Sequence, residues 1–108
     1  MTTFNEREKG FEQKFKHDQD LQFKVNARRN KLLGLWAAGL MGQTGDAAAA
    51  YAKDVVASDF DRPGDSDVLE KVIADLKAKG VAKSEHQVRA EMDRLFAVAK
   101  EQIMSETK

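Results

Sequence analysis

Apolar residues recur along most of this chain at intervals of three and four, which is the period of an amphipathic α-helix. The first long stripe predicts a helix that begins near Asp18 or Asp20 and ends near Gly42. An aspartate is favoured at a helix start because it accepts hydrogen bonds from unpaired backbone N–H groups and complements the helix dipole. The apolar face of this helix consists of Leu21, Val25, Leu32, Leu33, Leu35, Trp36 and Leu40.

Three further helices follow with the same period. The second is predicted from about Asp46 to Ser58, where four consecutive alanines at residues 47–50 allow close helix packing. The third is predicted from Val68 to about Lys79. Ser84 and Gln87 have the spacing of a capping box, which predicts the start of a fourth helix. The apolar face of that helix comprises Val88, Met92, Leu95, Phe96, Ala99 and Ile103. Because no segment has the pattern of a strand, we predict an all-α fold, a small four-helix bundle with short connections.

The first 17 residues carry a separate apolar stripe, formed by Phe4, Phe11 and Phe15. On a helix these spacings place the three rings within about 40° of one another. The stripe is rotated by about 70° from that of the first long helix, so the two need not face one core. We therefore predict a mobile, helix-capable arm over residues 1–17 and the bundle over residues 18–108. The arm is interpreted as a ligand for a groove on another protein, and the alternative is that it folds back onto the bundle.

Composition and charge narrow the class of protein. The 108 residues suffice for one domain, and 18 Lys and Arg balance 18 Asp and Glu, which argues against a nucleic-acid-binding protein. Cysteine is absent, so disulfides, thiolate metal sites and cysteine nucleophiles are excluded. The sequence shows no signal peptide and no apolar stretch of about 18 residues that would span a membrane. We therefore expect a soluble, intracellular protein.

Four cations form a run in the first long helix, with no acid between Leu21 and Gly34: Lys24, Arg28, Arg29 and Lys31. This run is interpreted as a solvated face, and contact of its cations with a nucleotide such as ATP or ADP is one alternative. In another alternative, the segment from Gln43 to Asp67 neutralises the run, since six acids and two bases give that segment a net charge of −4. Exposed ion pairs of this kind contribute only about 0–1 kcal/mol each.

Catalytic and metal chemistry are disfavoured. The spacing of an EF-hand loop is present, but Pro63 occupies a ligand position, so a capped acidic turn is preferred over a calcium site. The residues at the other positions of that loop are Asp59, Asp61, Gly64, Asp67 and Glu70. The two histidines, His17 and His86, are distant in sequence, and the serines lie at predicted helix ends. We therefore predict no catalytic residue, no metal and no cofactor, and the protein is not expected to be an enzyme.

Several stretches combine residues in an unusual way: FNEREK and FEQKFKHD between Phe4 and Asp18, ARRNKLLGLWAA at Ala27–Ala38, and VASDFD with PGD between Val56 and Asp65. In this combination the chain resembles the zeta inhibitor subunit of alphaproteobacterial ATP synthases. The resemblance implies a four-helix fold and inhibition of ATP hydrolysis by the catalytic head of the rotary motor. It also implies a protein that is a monomer when free and binds the alpha, beta and gamma subunits at the cytoplasmic face of the bacterial plasma membrane.

The resemblance further implies which residues act. In the family the N-terminal segment is the inhibitory element, which wedges at a catalytic interface of alpha and beta subunits near gamma. On this chain that segment runs from Phe4 to about His17. The candidate contact residues are Phe4, Arg7, Glu8, Lys9, Phe11, Glu12, Lys14 and Phe15. The competing hypothesis is a nucleotide-binding regulatory helical-bundle protein in which the arm is an ordinary bundle element.

Overall fold

The structure, a computed structural model, describes residues 19–58 and 66–106. These residues form four helices and no strand: α1 Gln19–Leu40, α2 Gly45–Ser58, α3 Ser66–Ala78 and α4 Glu85–Glu106. The predicted all-α four-helix bundle is thereby confirmed. The predicted arm over residues 1–17 and the acidic turn over residues 59–65 lie outside the described residues, and what was predicted of them stays a prediction.

The helices end close to where the sequence predicts, because the signals that end them are local. The glycines that follow α1 and α3 both have positive φ, 79° at Gly42 and 74° at Gly80. After α1, the Gly42 N–H donates to Gly39 O at 3.2 Å and the Gln43 N–H donates to Ala38 O at 2.9 Å. These two bonds form a Schellman motif, which satisfies carbonyls that the helix itself leaves unpaired.

The capping box at the start of α4 is confirmed by two reciprocal hydrogen bonds. The Gln87 N–H donates to Ser84 Oγ at 3.1 Å, and the Ser84 N–H donates to Gln87 Oε1 at 2.9 Å. Both bonds satisfy backbone donors that have no partner within the helix. The sequence pattern therefore identified both the position and the chemistry of this helix start.

Helices α1 and α2 pack with their backbones in near contact at Gly34 and Ala52. A Cβ atom added to Gly34 would lie 2.7 Å from the Cα of Ala52 and 3.2 Å from a methyl group of Val55. The run of four alanines at residues 47–50 suggested close packing of α2, yet only Ala48 of that run is buried. The close approach therefore depends on Gly34 of α1 and on Ala52, which follows the alanine run by two residues.

Two clusters of buried side chains fill the bundle. The larger one joins all four helices and contains Leu33, Ala37, Val55, Val68, Leu69, Val72, Leu76, Val88, Met92 and Leu95. The smaller one, Leu21, Val25, Ala99 and Ile103, lies between the first half of α1 and the second half of α4. The start of α1 thus packs against the end of α4, so these two helices run antiparallel.

A polar cluster joins α2 to α3 beside the larger core. Tyr51 OH donates to Asp75 Oδ2 at 2.8 Å, and Lys71 Nζ donates to the same oxygen at 3.1 Å. Lys71 Nζ also lies 5.4 Å from the centroid of the Tyr51 ring, within the range of a cation–π interaction. Burial of the phenol, together with its hydrogen bond to Asp75, raises the pKa of Tyr51 above its ordinary value of 10.0.

The packing of α1 on α2 predicts opposite effects for two glycine-to-alanine substitutions in the same helix. Gly34→Ala should destabilise the protein by about 1–3 kcal/mol, because the new methyl group collides with the backbone of Ala52 and overpacking outweighs the gain in helix propensity. Gly39→Ala is the matched control, since a Cβ there meets nothing within 4 Å. It should stabilise the protein by a few tenths to about 1 kcal/mol. Urea unfolding of both variants measures the difference, and equal stability would contradict the close contact.

The alkaline titration of Tyr51 should report the contact between α2 and α3. The chain has one tyrosine, so the absorbance of tyrosinate reports this residue alone. We expect ionisation in the folded protein at a pH above 10.0 and ionisation near 10.0 after unfolding in urea. The contribution of Tyr51 to the free energy of unfolding is then complete below the pKa that Tyr51 has in the unfolded chain. It is lost as the pH rises through the higher pKa that Tyr51 has in the folded protein. Asp75→Asn should bring the folded pKa closer to its ordinary value, and an unchanged titration in that variant would refute the role of Asp75.

Candidate functional site

The four cations of the basic run do not lie on one face of α1. Lys24, Arg28 and Lys31 line a shallow concavity, whereas Arg29 is only 3% exposed. The interpretation of the run as a solvated face is therefore wrong for Arg29. Arg29 follows Val25 by four residues and precedes Leu33 by four, so it belongs to the apolar stripe of α1, and this spacing was the available signal in the sequence.

The concavity has a volume of about 520 Å³ and is formed by α1, α2 and α4. We call it the basic groove, and it is lined by Phe23, Lys24, Ala27, Arg28, Lys31, Val56, Ile103 and Glu106. Four of these side chains are apolar, and three of the other four are cationic. The sequence predicted the cations, but it did not indicate that Val56 and Ile103 would come from two other helices to meet them. Contact of these cations with a nucleotide stays a prediction.

Arg28 binds the end of α4 through a forked set of hydrogen bonds. Its two terminal nitrogens donate to the two carboxylate oxygens of Glu106 at 2.7 and 2.9 Å, and Nη1 also donates to Gln102 Oε1 at 2.8 Å. Through these bonds Glu106 raises the pKa of Arg28, and Arg28 lowers the pKa of Glu106. Among the described residues, the acid that pairs with Arg28 thus comes from α4, because the antiparallel α4 ends beside the first half of α1.

Arg29 and Asn30 form a buried polar pair that the sequence analysis did not identify. Arg29 Nε donates to Asn30 Oδ1 at 2.9 Å, and Asn30 is fully buried. Among the described residues, the Nδ2 group of Asn30 finds no hydrogen-bond partner, and leaving a buried donor unpaired carries a desolvation cost.

Residues 19–58 and 66–106 form no cluster of potential metal ligands. This part of the chain contains no group of three or more His, Cys, Asp and Glu side chains that could hold a metal ion. Of the predicted acidic turn, the structure describes Asp67 in the first turn of α3 and Glu70 one turn later, where Glu70 is exposed. His86 is exposed in the first turn of α4, as expected of a surface group.

The fold and the groove define a small α-helical protein that offers a surface for binding. Comparison with protein families gives its place within that class. The model of the family ATPase inhibitor subunit zeta matches residues 1–102, and the chain belongs to this family. The earlier resemblance is thereby confirmed. The protein is accordingly an inhibitor of ATP hydrolysis by ATP synthase, which is a regulatory and non-catalytic role.

Comparison with solved structures supports the fold. The chain is 51% identical to a protein solved by solution NMR, with a TM-score of 0.71, over 80% of this chain and 98% of the other. A comparison with curated protein sequences finds no match. None of the helices within the described ranges is both long enough and apolar enough to cross a bilayer.

The fork between Arg28 and Glu106 predicts a distinct titration for one carboxyl group. We expect Glu106 to titrate below the ordinary glutamate value of 4.5, because the guanidinium of Arg28 stabilises its ionised form. The contribution of this pair to the free energy of unfolding is then present above the pKa that Glu106 has in the unfolded chain. It is lost as the pH falls through the lower pKa that Glu106 has in the folded protein. Carboxyl NMR across the acidic range measures the shift. In Arg28→Ala the pKa of Glu106 should rise towards its ordinary value, with Lys31 left as the smaller cause that lowers it, and an unchanged pKa there would refute the role of Arg28.

Proposed function

We propose that residues 1–17 form the inhibitory element and wedge, as an amphipathic helix, at a catalytic interface of the alpha and beta subunits near gamma. Residues 18–108 form the bundle that holds this arm in place. Rotation in the direction of hydrolysis tightens the wedge, and rotation in the direction of synthesis ejects it. The protein binds as a monomer to the catalytic head on the cytoplasmic side of the bacterial plasma membrane.

One observation carries most of this proposal. The family match begins at residue 1 and therefore includes the whole arm together with the bundle. The buried clusters of the described residues extend from Leu21 to Ile103, so the bundle has a core of its own that begins just after the arm. This division suits a protein in which one part folds and the other binds.

The energetics of binding indicate what else the arm must contact. Ordering a residue costs about 1–2 kcal/mol of backbone entropy, so a dozen residues cost far more than three phenylalanine side chains recover at about 1.5–3 kcal/mol each. Helix hydrogen bonds and charged contacts must supply the remainder. The side chains proposed for those contacts are Arg7, Glu8, Lys9, Glu12 and Lys14.

Inhibition of ATP hydrolysis by the purified catalytic head tests this proposal. The head is titrated with the full chain and with a chain that begins at Asp18, each checked for helical content and cooperative unfolding. We expect saturable inhibition by the full chain and a loss of at least about 100-fold in potency without the arm, which corresponds to about 2.7 kcal/mol. Equal inhibition by both chains would move the inhibitory site onto the bundle. No inhibition by either would remove support for the proposed mechanism.

A further inference from the structure

We propose that the basic groove is a second contact surface for the ATP synthase and that it takes an acidic amphipathic helix of that complex. The inference rests on the proposed function, in which the arm before α1 is the inhibitory element. It goes beyond that function because it assigns a binding site to the bundle itself. The bundle then contributes affinity and orientation, in addition to carrying the arm.

The position of the groove supports this assignment. Phe23 and Lys24 lie in the second turn of α1, within about 8 Å along the helix axis of its first residue, Gln19. The arm ends at residue 17, so a protein that encloses the arm lies next to these two side chains. A groove at this place continues the surface that the arm presents, and contact there costs little additional ordering because α1 is already folded.

The apolar part of the groove is suited to bind the apolar face of a helix. Phe23 is 54% exposed, compared with 38% for Leu35 and 36% for Leu40, the other large hydrophobic side chains exposed in the described residues. Beneath and beside it lie Ala27, Val56 and Ile103, which come from three different helices. An exposed aromatic ring beside a shallow apolar groove is typical of surfaces that bind an amphipathic helix.

The charges of the groove specify the partner. The charges of Arg28 and Glu106 neutralise each other in an ion pair. Lys24 and Lys31 are therefore the cations that determine the electrostatic potential in the groove. Neither lysine has an ion pair within the described residues. They are seven residues apart, about 10 Å along α1, and both line the same groove. Two carboxylates at the same spacing on a neighbouring helix would pair with them.

The shape of the groove favours a helix over a nucleotide as the occupant. From Phe23 to Lys31 it follows α1 for about 12 Å, which is about two turns of a helix. It is a shallow trough, whereas sites for small ligands bury most of the ligand in a concave pocket. A guanidinium that would bind phosphate, that of Arg28, is already engaged by a carboxylate and an amide.

A charge reversal in the full chain tests the inference. The variant is Lys24→Glu with Lys31→Glu, and the control is Lys77→Glu with Lys79→Glu, two exposed lysines at the end of α3 outside the groove. Binding to the immobilised catalytic head is measured without added nucleotide, and inhibition of hydrolysis is measured in parallel. Thermal unfolding confirms that both variants fold. We expect the dissociation constant of the groove variant to rise about ten-fold or more and that of the control to change less than about two-fold.

The outcomes separate this inference from the proposed function. The inference is overturned if the groove variant binds the catalytic head as tightly as the control does. It is also overturned if the groove variant loses affinity only when ATP or ADP is added, because a nucleotide would then be the occupant of the groove. Tighter binding by the groove variant would also overturn it, because the groove would then hold the arm of the same chain. A second full-chain variant, Phe11→Ala with Phe15→Ala, reports on the arm. If this variant still inhibits, the proposed function fails, whereas the comparison of the two lysine variants still decides the role of the groove.

Discussion

The near contact of the α1 and α2 backbones at Gly34 and Ala52 is the constraint on which the rest of the bundle depends. Two helices approach this closely only where a side chain is missing, so Gly34 determines the level at which α2 crosses α1. At that level Val55 enters the main core and contacts the same cluster as Leu33. Helix α1 contacts all three other helices, and an error in its placement would therefore disturb its interface with each of them.

Two of the four helices are longer than the others, and they extend past them at one end of the bundle. Helices α1 and α4 each have 22 residues, whereas α2 has 14 and α3 has 13. The longer pair extends beyond the four-helix core and is held together by the cluster of Leu21, Val25, Ala99 and Ile103. Arg28 and Glu106 close this end with a forked ion pair. Helix α1 begins at this end with Gln19, which the proposed arm precedes in the sequence, and the basic groove lies here as well.

The sequence predicted the helices well because each one is specified by neighbouring residues. Gly42, Gly80 and the pair Ser84 and Gln87 act through hydrogen bonds within a few residues, which a reader of the chain can identify directly. The candidate site was predicted less completely. The cations of α1 were identified, but Arg29 was assigned to the surface because its charge was weighed above its place in the apolar stripe. The alanine run of α2 was likewise assigned a packing role that belongs chiefly to Gly34 and Ala52.

The sequence by itself determined the number, extent and ends of the helices and, through extended motifs, the family of ATPase inhibitors to which the chain belongs. These properties depend on local hydrogen bonding and on the period of the apolar residues, both of which are visible along the chain. Only the tertiary structure decided which cations share a groove, that Glu106 is the partner of Arg28, and that Val56 and Ile103 lie beside Phe23. Residues that are tens of positions apart meet only once the helices have packed, and the helix period alone does not specify how far one helix slides along another.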